Sequence, residues 1–298
     1  MFLAVSLLAA SVIAAPPVPR VDAVQIVVRD LGAERRFYTS AFDFTDAGGH
    51  AIPHGRVVRL RLGNERLDLV RYERAGEPIA ASARSNDRAF QHIAIIVSDM
   101  SRAWRRIANA GIRHVSVAPQ VLPAWNPAAG GIAAVYFRDP EGHPLEMLHF
   151  PAGKGAPEWH AAAPLFLGID HTAISVADTA ASTRFYERLG FVVRGHSNNY
   201  GIEQERLSGV PGAHVRITAV RFPQAPGVEF LHYVSPASQQ PSEHVRPFDL
   251  LATRTIVVEP SAAATCRRFA GAIVRVDGCL VRDPDGHYVD VRSAAASR

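Results

Sequence analysis

Several residue types are rare in this sequence, and their scarcity restricts the functions that the protein can have. Its basic residues are almost all arginine, and Lys154 is the only lysine in the chain. The formal net charge of +4 is small for 298 residues. The arginines are also scattered and do not form the clusters that bind a phosphate backbone. We therefore expect no nucleic-acid partner.

Cysteine is scarce as well, since Cys266 and Cys279 are the only two. This number suits a reducing or an oxidising compartment. In an oxidising compartment the two could form a disulfide. A helix cysteine and a strand cysteine that never meet are an equal alternative.

Long apolar runs are missing too, and none reaches the roughly 20 residues of a membrane-spanning helix. We therefore expect no membrane partner. One shorter apolar run covers residues 1–14 and precedes Ala15-Pro16-Pro17. Val12 and Ala14 have the small side chains that signal peptidases accept, which predicts a signal peptide over residues 1–14 and a periplasmic or secreted protein. No basic residue stands near the start of the run, so a cytoplasmic protein with an apolar N-terminus is the alternative.

The strongest positive signal is an internal repeat in a chain of globular composition. Segments 92–99 and 171–178 read HIAIIVSD and HTAISVAD, and segments 146–150 and 229–233 read EMLHF and EFLHY. Each copy opens with a histidine and carries a glutamate near its close. Two histidines and two glutamates in matching registers are a donor set that can bind a divalent metal ion.

Weaker copies of the same pattern flank these two, so the unit occurs four times. Each unit has a β-branched strand, a helix with a short polar N-cap and then further strands. The candidate caps are Asp30, Asp99, Asp178 and Ser261. Asp-Pro-Glu-Gly at 139–142 and Asp-Pro-Asp-Gly at 283–286 are typical of tight turns. The polar segment 196–200 is predicted to be a hairpin loop, or else part of a cavity wall.

Four βαβββ units at this spacing resemble the vicinal oxygen chelate superfamily, which includes glyoxalase I, extradiol dioxygenases, and bleomycin- and fosfomycin-resistance proteins. The resemblance covers about residues 21–293 and rests on the opening histidine, the capped helix with Phe-Tyr, the Asp-Pro turn and the closing glutamate. It implies an α+β fold in which the units pair into two bowls of curved mixed sheet. We expect one glyoxalase-like domain at 21–150, with units one and two, and another at 168–293, with units three and four.

In that superfamily the metal ligands are the first residue of the opening strand and a carboxylate in the closing strand. Units two and three keep both kinds of ligand, and we expect the metal to be bound by His92, Glu146, His171 and Glu229. The corresponding residues of the outer units are Ala23 with Asp68 and Thr253 with Asp290. The outer units have therefore lost the histidine.

Burial supports the same ligands independently of the resemblance. Strand alternation puts Glu146 on the face of Leu148 and Phe150. A carboxylate on an apolar face is costly unless it is paired or bound to a cation. His149 and His232 fall on the opposite strand face, so we exclude them as ligands.

The pairing of the units decides whether these ligands meet. If consecutive units pair, as in extradiol dioxygenases, each bowl holds a single histidine. If unit two pairs with unit three, and one with four, all four ligands share a bowl, as in monomeric four-unit glyoxalase I proteins. We favour the second arrangement, because both losses then fall in one bowl.

The resemblance implies one divalent ion (Zn, Ni, Mn or Fe) with open positions for two oxygens of a small-molecule substrate. The expected activity is a glyoxalase- or epimerase-like proton transfer next to a carbonyl, with Glu146 or Glu229 as the catalytic base. One alternative is an extradiol-type ring-cleaving dioxygenase that uses both histidines and one glutamate on iron. Another is a metal-free small-molecule binding protein of the resistance type. A monomer and a homodimer are both compatible with the sequence.

Overall fold

The computed structural model describes residues 18–74, 76–108, 110–224, 226–238 and 245–294. The predicted signal peptide at 1–14 lies outside these residues. Within the described segments, no helix combines the length and the apolar character that crossing a membrane requires.

The secondary structure repeats one order of elements four times, as the sequence predicts. Unit one contains β1 (Arg20–Val27), α1 (Leu31–Ala41), β2 (Thr45–Ile52), β3 (Gly55–Leu62) and β4 (Glu65–Tyr72). Unit two contains β5 (Gln91–Val97), α2 (Met100–Ile107), β6 (Arg113–His114), β7 (Gln120–Val121), β8 (Ala133–Arg138) and β9 (Pro144–His149). Unit three contains β10 (Phe166–Ser175), α3 (Thr179–Arg188), β11 (Val192–Tyr200), α4 (Ile202–Ser208), β12 (His214–Arg221) and β13 (Gly227–Ser235). Unit four contains β14 (Arg254–Glu259), α5 (Ala262–Cys266), β15 (Ile273–Arg275), β16 (Gly278–Arg282) and β17 (Tyr288–Ser293).

All four predicted helices begin at the predicted N-caps, and three of the four cap side chains make capping hydrogen bonds. Asp30 and Asp99 accept hydrogen bonds from backbone N–H groups in the first turns of α1 and α2, both at 2.9 Å. Asp178 accepts two such bonds at the start of α3. Ser261 stands at the N-cap position of α5, but its side chain makes no capping bond there. The cap prediction for the fourth helix is therefore wrong in its chemistry, although the helix does begin there.

The strands form two mixed sheets, each built from two units. One is eight-stranded, with the order β15-β16-β17-β14-β1-β4-β3-β2, and contains units one and four. The other is nine-stranded, with the order β11-β12-β13-β10-β5-β9-β8-β6 and β7 paired to β8, and contains units two and three. We call the nine-stranded sheet the inner bowl and the eight-stranded sheet the outer bowl. The fold is thus α+β, and the unit pairing is the one that the pattern of retained ligands favours.

The apolar clusters connect the units both in chain order and in sheet order. One cluster comes mainly from units one and two, with Phe37, Phe42 and Phe137, and also includes Phe166 of unit three. Phe42 stacks on Phe137 of the next unit, with ring centroids 5.9 Å apart. A second cluster joins units three and four in the same way. Two further clusters follow the sheets, since one joins units two and three and the other joins units one and four.

One local feature differs from the sequence prediction, and another decides between two alternatives that the sequence leaves open. The polar segment 196–200 is not a loop but the second half of β11, which pairs with β12 from Val192 to Tyr200. Its polar side chains are compatible with a strand because β11 is the edge of its sheet. Cys266 of α5 and Cys279 of β16 do meet, and they form a disulfide with their Cα atoms 5.9 Å apart.

Candidate metal centre

The two histidines come from neighbouring antiparallel strands at the middle of the inner bowl. In the register of β5 with β10, His92 lies opposite Ala173 and His171 lies opposite Ala94. The two imidazoles are therefore diagonal neighbours on one face of the sheet. Their Nε2 atoms are 3.5 Å apart.

The two glutamates flank this pair on the parallel closing strands. Glu146 of β9 lies opposite Ala94, and Glu229 of β13 lies opposite Ala173. Each row across the sheet thus has a glutamate, a fully buried alanine and a histidine. Because an alanine has only a methyl group, the longer side chains on either side of it can converge above it.

The donor atoms converge at the spacing that a single ion requires. Glu146 Oε2 lies 3.0 Å from His92 Nε2 and 3.5 Å from His171 Nε2. Glu229 Oε2 also lies 3.5 Å from His171 Nε2. Ligands bound at about 2.0–2.2 Å to one ion stand roughly 3.0–3.5 Å apart in octahedral or tetrahedral geometry. The residues present therefore fit a divalent metal ion.

Within this set, three residues form a compact group and the fourth stands at its edge. The ligand atoms of His92, Glu146 and His171 all lie within 4.8 Å of one another, and the three residues are buried. Glu229 reaches the group through His171, and its side chain is 22 % exposed. In the part of the chain that the structure describes, no other group of three such residues comes together in this way.

The surroundings of Glu146 and His171 favour the charged forms of these two residues. Burial raises the pKa of Glu146, but His92 and His171 outweigh it and hold that pKa below its usual value. Burial disfavours the charged form of His171, but Glu229, Asp170 and Glu146 together raise the pKa of His171 well above its usual value. A carboxylate environment that attracts protons so strongly also attracts a metal cation, which competes with protons for the same lone pairs.

A cavity of about 530 Å³ opens above the group. Glu146, His171 and Glu229 line it on one side. Much of the remaining wall is apolar, with Leu122, Ile132, Leu148, Phe150, Leu207 and Ile217. Ser197 and Asn199 of β11 also line it, so the segment 196–200 does form part of the cavity wall even though it is a strand.

Tyr136 is a cavity residue that the sequence pattern does not reveal. It lies opposite Glu146 in the register of β8 with β9, and its ring packs edge-on against His92 at 4.9 Å between centroids. Its position could have been inferred only from the pairing of these strands, because a tyrosine in an apolar strand has no distinctive spacing.

The corresponding place in the outer bowl contains acids neutralised by arginines. Asp68 is buried and lies 2.9 Å from Arg66 Nε. Asp290 is fully buried, contacts Arg275 and lies 2.8 Å from Arg292. Burial raises the pKa of Asp290, but the arginines outweigh it and lower that pKa below its usual value. Guanidinium groups therefore supply the positive charge here.

The register also corrects one position in the outer bowl. Gln25 lies opposite both Asp68 and Arg254, as Ala94 lies opposite both Glu146 and His171. The residue in the place of His171 is therefore Arg254, and not Thr253 as the sequence comparison suggests. An offset of one residue in a strand cannot be detected from the sequence when the histidine itself has been lost.

Two other histidines have structural contacts. His143 Nδ1 lies 2.7 Å from Asp139 Oδ2 and its Nε2 lies 2.9 Å from the carbonyl oxygen of Val27, so this side chain supports the turn at 139–142. His149 Nδ1 lies 3.0 Å from the carbonyl oxygen of Val97. Neither His149 nor His232 belongs to the group formed by His92, Glu146 and His171.

Comparison with known proteins agrees with this architecture. The model of the Glyoxalase/Bleomycin resistance protein/Dioxygenase superfamily matches residues 20–147 and 168–291. The chain belongs to this superfamily. Glyoxalase I from Zea mays has a similar structure, with a TM-score of 0.64 and 15% identity over 92% of each chain. A putative dioxygenase from Bacillus subtilis subsp. subtilis str. 168 aligns with a TM-score of 0.56 and 9% identity over 95% of this chain and 87% of that one.

These similarities establish the superfamily and the fold, and at such low identities they say nothing of the reaction. No curated protein matches the chain with significant sequence similarity. A glyoxalase-like fold with a His-Glu-His group at the base of a cavity is the basis for a functional proposal.

Proposed function

We propose that this protein is a divalent-metal-dependent enzyme of the vicinal oxygen chelate type that catalyses proton transfer next to a carbonyl group, as glyoxalases and epimerases do. The observation that carries the proposal is the convergence of His92, Glu146 and His171 within 4.8 Å at the base of a cavity. Glu229 adds a second carboxylate beside the same group.

The proposed ligands are the Nε2 atoms of the two histidines and one carboxylate oxygen from each glutamate. Imidazole and carboxylate ligands suit Zn, Ni, Mn and Fe, so the donor set leaves the identity of the metal open. When bound, such an ion stabilises negative charge on a substrate oxygen.

Glu229 is the better candidate for the catalytic base. Glu146 is buried and contacts both histidines, so its carboxylate is held from two sides. Glu229 is partly exposed and lines the cavity, and among the proposed ligands it contacts His171. Its carboxylate can therefore take a proton from the carbon next to a substrate carbonyl and return it, either to the neighbouring carbon or to the other face of the same carbon. When the proton moves to the neighbouring carbon, the substrate's hydroxyl proton passes to the former carbonyl oxygen, so the bond changes balance without an oxidant, a reductant or water.

The cavity points to a compact, largely apolar substrate with two adjacent oxygens. Two of the cationic side chains on its wall are already engaged. Arg221 pairs with Asp170 at 3.0 Å, and Lys154 Nζ donates hydrogen bonds to the carbonyl oxygens of Pro127 and Ala128. Arg194 lines the cavity as well, so we expect polar recognition to come from its guanidinium and from the metal centre.

A ring-cleaving dioxygenase is the second candidate, because the compact group has two histidines and one carboxylate. This is the ligand set of non-haem iron oxygenases. The two activities are distinguished by the substrate and by the requirement for oxygen. An α-hydroxyketone probes proton transfer, and catechol with dissolved oxygen probes ring cleavage.

The deciding experiment combines metal analysis with proton exchange. Purified protein should contain about one divalent ion per chain. With that metal present, the protein should exchange the carbon-bound proton of 2-hydroxyacetophenone with deuterium in D2O, as followed by proton NMR. Stoichiometric metal with neither exchange nor catechol cleavage would refute both activities on these probes. Protein without metal would instead favour a metal-free binding protein.

We further propose that the protein is exported and that the site is complete in one chain. The disulfide between Cys266 and Cys279 is typical of an oxidising compartment and supports cleavage of a signal peptide at 1–14. All four proposed ligands come from one chain, so a monomer suffices, although a homodimer would be compatible. N-terminal mass spectrometry of the protein from its own cells tests export, and light scattering tests the oligomeric state.

A further inference from the structure

Asp170 lies beside the candidate metal centre although simple strand geometry would direct it away. Consecutive residues of a strand point to opposite faces of the sheet, and Asp170 directly precedes His171. In the register of β10 with β5, however, Ile169 pairs with Ile95 and His171 pairs with Ala94, so that Asp170 is an extra residue. A bulge of this kind redirects a side chain. As a result, Asp170 Oδ2 lies 2.9 Å from His171 Nδ1.

Two further residues fix the Asp170 carboxylate in this position. Trp159 Nε1 donates a hydrogen bond to Oδ1 at 2.9 Å. Arg221 donates to Oδ2 at 3.0 Å and to Oδ1 at 3.4 Å. Both Asp170 and Trp159 are only 4% exposed. The carboxylate is thus held by a buried indole and a guanidinium, and its free lone pairs face the imidazole.

This arrangement decides which nitrogen of His171 faces the centre. When Nδ1 carries the proton and donates it to a carboxylate, Nε2 keeps its lone pair for a metal ion. The same hydrogen bond fixes the orientation of the ring. We propose that Asp170 is a positioning residue for His171, and that Arg221 and Trp159 hold Asp170 in place. This inference rests on the metal centre proposed above.

The other histidine has no equivalent support. His92 Nδ1 makes no hydrogen bond with any residue that the structure describes. The residue before it, Gln91, instead donates from its side-chain amide to Thr172 Oγ1 at 2.9 Å. The two histidine ligands therefore differ, and Gln91 provides a matched control at the position equivalent to Asp170.

The test measures metal binding directly, so it needs no substrate. Metal-free wild type, Asp170→Asn and Gln91→Asn are titrated with Co(II) and Zn(II), and affinities are measured by competition with a chelator. We expect Asp170→Asn to weaken binding by about 10- to 100-fold, which is the usual effect of losing the carboxylate behind a histidine ligand. We also expect its Co(II) absorption spectrum to change, since the His171 ring is no longer held. Gln91→Asn should change neither affinity nor spectrum.

A second variant allows the loss of a hydrogen bond to be distinguished from misfolding. Trp159→Phe keeps an aromatic ring at this position but removes the indole N–H, and should weaken binding by about threefold to tenfold. Circular dichroism of the metal-free proteins establishes that each is folded. Folded Asp170→Asn with wild-type affinity and an unchanged Co(II) spectrum would overturn the inference while leaving the metal centre intact. A wild type that binds no stoichiometric metal would overturn the centre itself, and the inference with it.

Discussion

The buried carboxyl group of Glu34 should make the stability of this protein depend on pH. Glu34 of α1 is fully buried, and neither of its carboxylate oxygens has a hydrogen-bond partner among the described residues. Burial, reinforced by the nearby Asp139, raises the pKa of Glu34 from 4.5 to about 9. Glu34 is therefore neutral in the folded protein over a range of pH in which it is ionised in the unfolded chain.

The direction and size of the effect follow from proton linkage. Between pH 4.5 and about 9 the unfolded chain loses the proton while the folded protein keeps it. The free energy of unfolding therefore falls as pH rises, by up to about 1.4 kcal/mol per pH unit and by at most about 6 kcal/mol in total. Below the unfolded pKa the penalty vanishes, and above the folded pKa it stays constant. The neighbouring charges of Asp139 and His143 will share part of this effect, so the total is an upper bound.

The test compares wild type with Glu34→Gln, which keeps the size of the side chain and removes its titration. Chemical unfolding across this pH range should show the variant gaining stability over wild type as pH rises. Burial alone would lower the pKa of His143, but Asp139 outweighs it and raises that pKa to about 9. His143 thus contributes a slope of the same sign in both proteins, and the difference between them reports Glu34 together with its electrostatic coupling to His143.

Unit three supplies the control. Ser182 occupies in α3 the place of Glu34 in α1, four residues before the tyrosine of the Phe-Tyr pair. It is also fully buried, and it cannot ionise in this range. Ser182→Ala should therefore leave the pH dependence unchanged. A difference between wild type and Glu34→Gln that stays constant over the whole range would refute the reasoning.

Three further predictions follow from the two bowls. His92→Ala and His171→Ala should each abolish stoichiometric binding of the same metal, as measured by elemental analysis, whereas loss in one variant alone would contradict a shared centre. Glu229→Gln should retain metal but lose at least about 100-fold of the proton-exchange activity on 2-hydroxyacetophenone, because the base is gone; equal activity would assign the proton transfer elsewhere. Arg292→Leu should lower the free energy of unfolding by about 2 kcal/mol or more through its lost pairing with the buried Asp290, while the metal content stays unchanged.

The sequence predicts the fold, and also the convergence of two histidines and two glutamates in one bowl, because both patterns are repeated. A histidine and a glutamate that recur in the same register within two copies identify a strand face, and the loss of both histidines from the outer units favours the pairing that the sheets show. That inference needs no knowledge of distances. It depends only on the expectation that a bowl that binds a metal must keep all of its ligands, whereas a bowl that binds none can lose them.

Features that depend on strand register could not be predicted in this way. Asp170 is one residue before His171, and alternation places it on the wrong face until the bulge in β10 is known. Arg254 was missed for a related reason, since an outer unit without a histidine offers no marker for the register. Tyr136 reaches the cavity only through the pairing of β8 with β9. Each of these depends on contacts between segments that are distant in sequence.

The two bowls meet the same electrostatic requirement by different means, and this difference limits where chemistry can occur. In each bowl a carboxylate from both closing strands is directed towards the centre of a sheet, where an uncompensated negative charge is costly. In the outer bowl, the guanidinium groups of arginine side chains neutralise Asp68 and Asp290. A guanidinium has no vacant coordination position and cannot act as a Lewis acid for a substrate oxygen. The inner bowl offers imidazoles and carboxylates without an arginine among the ligand atoms, so among the residues that the structure describes it alone has the donor set that an exchangeable cation requires. We therefore place the proposed reaction in the inner bowl and regard the outer bowl as its scaffold.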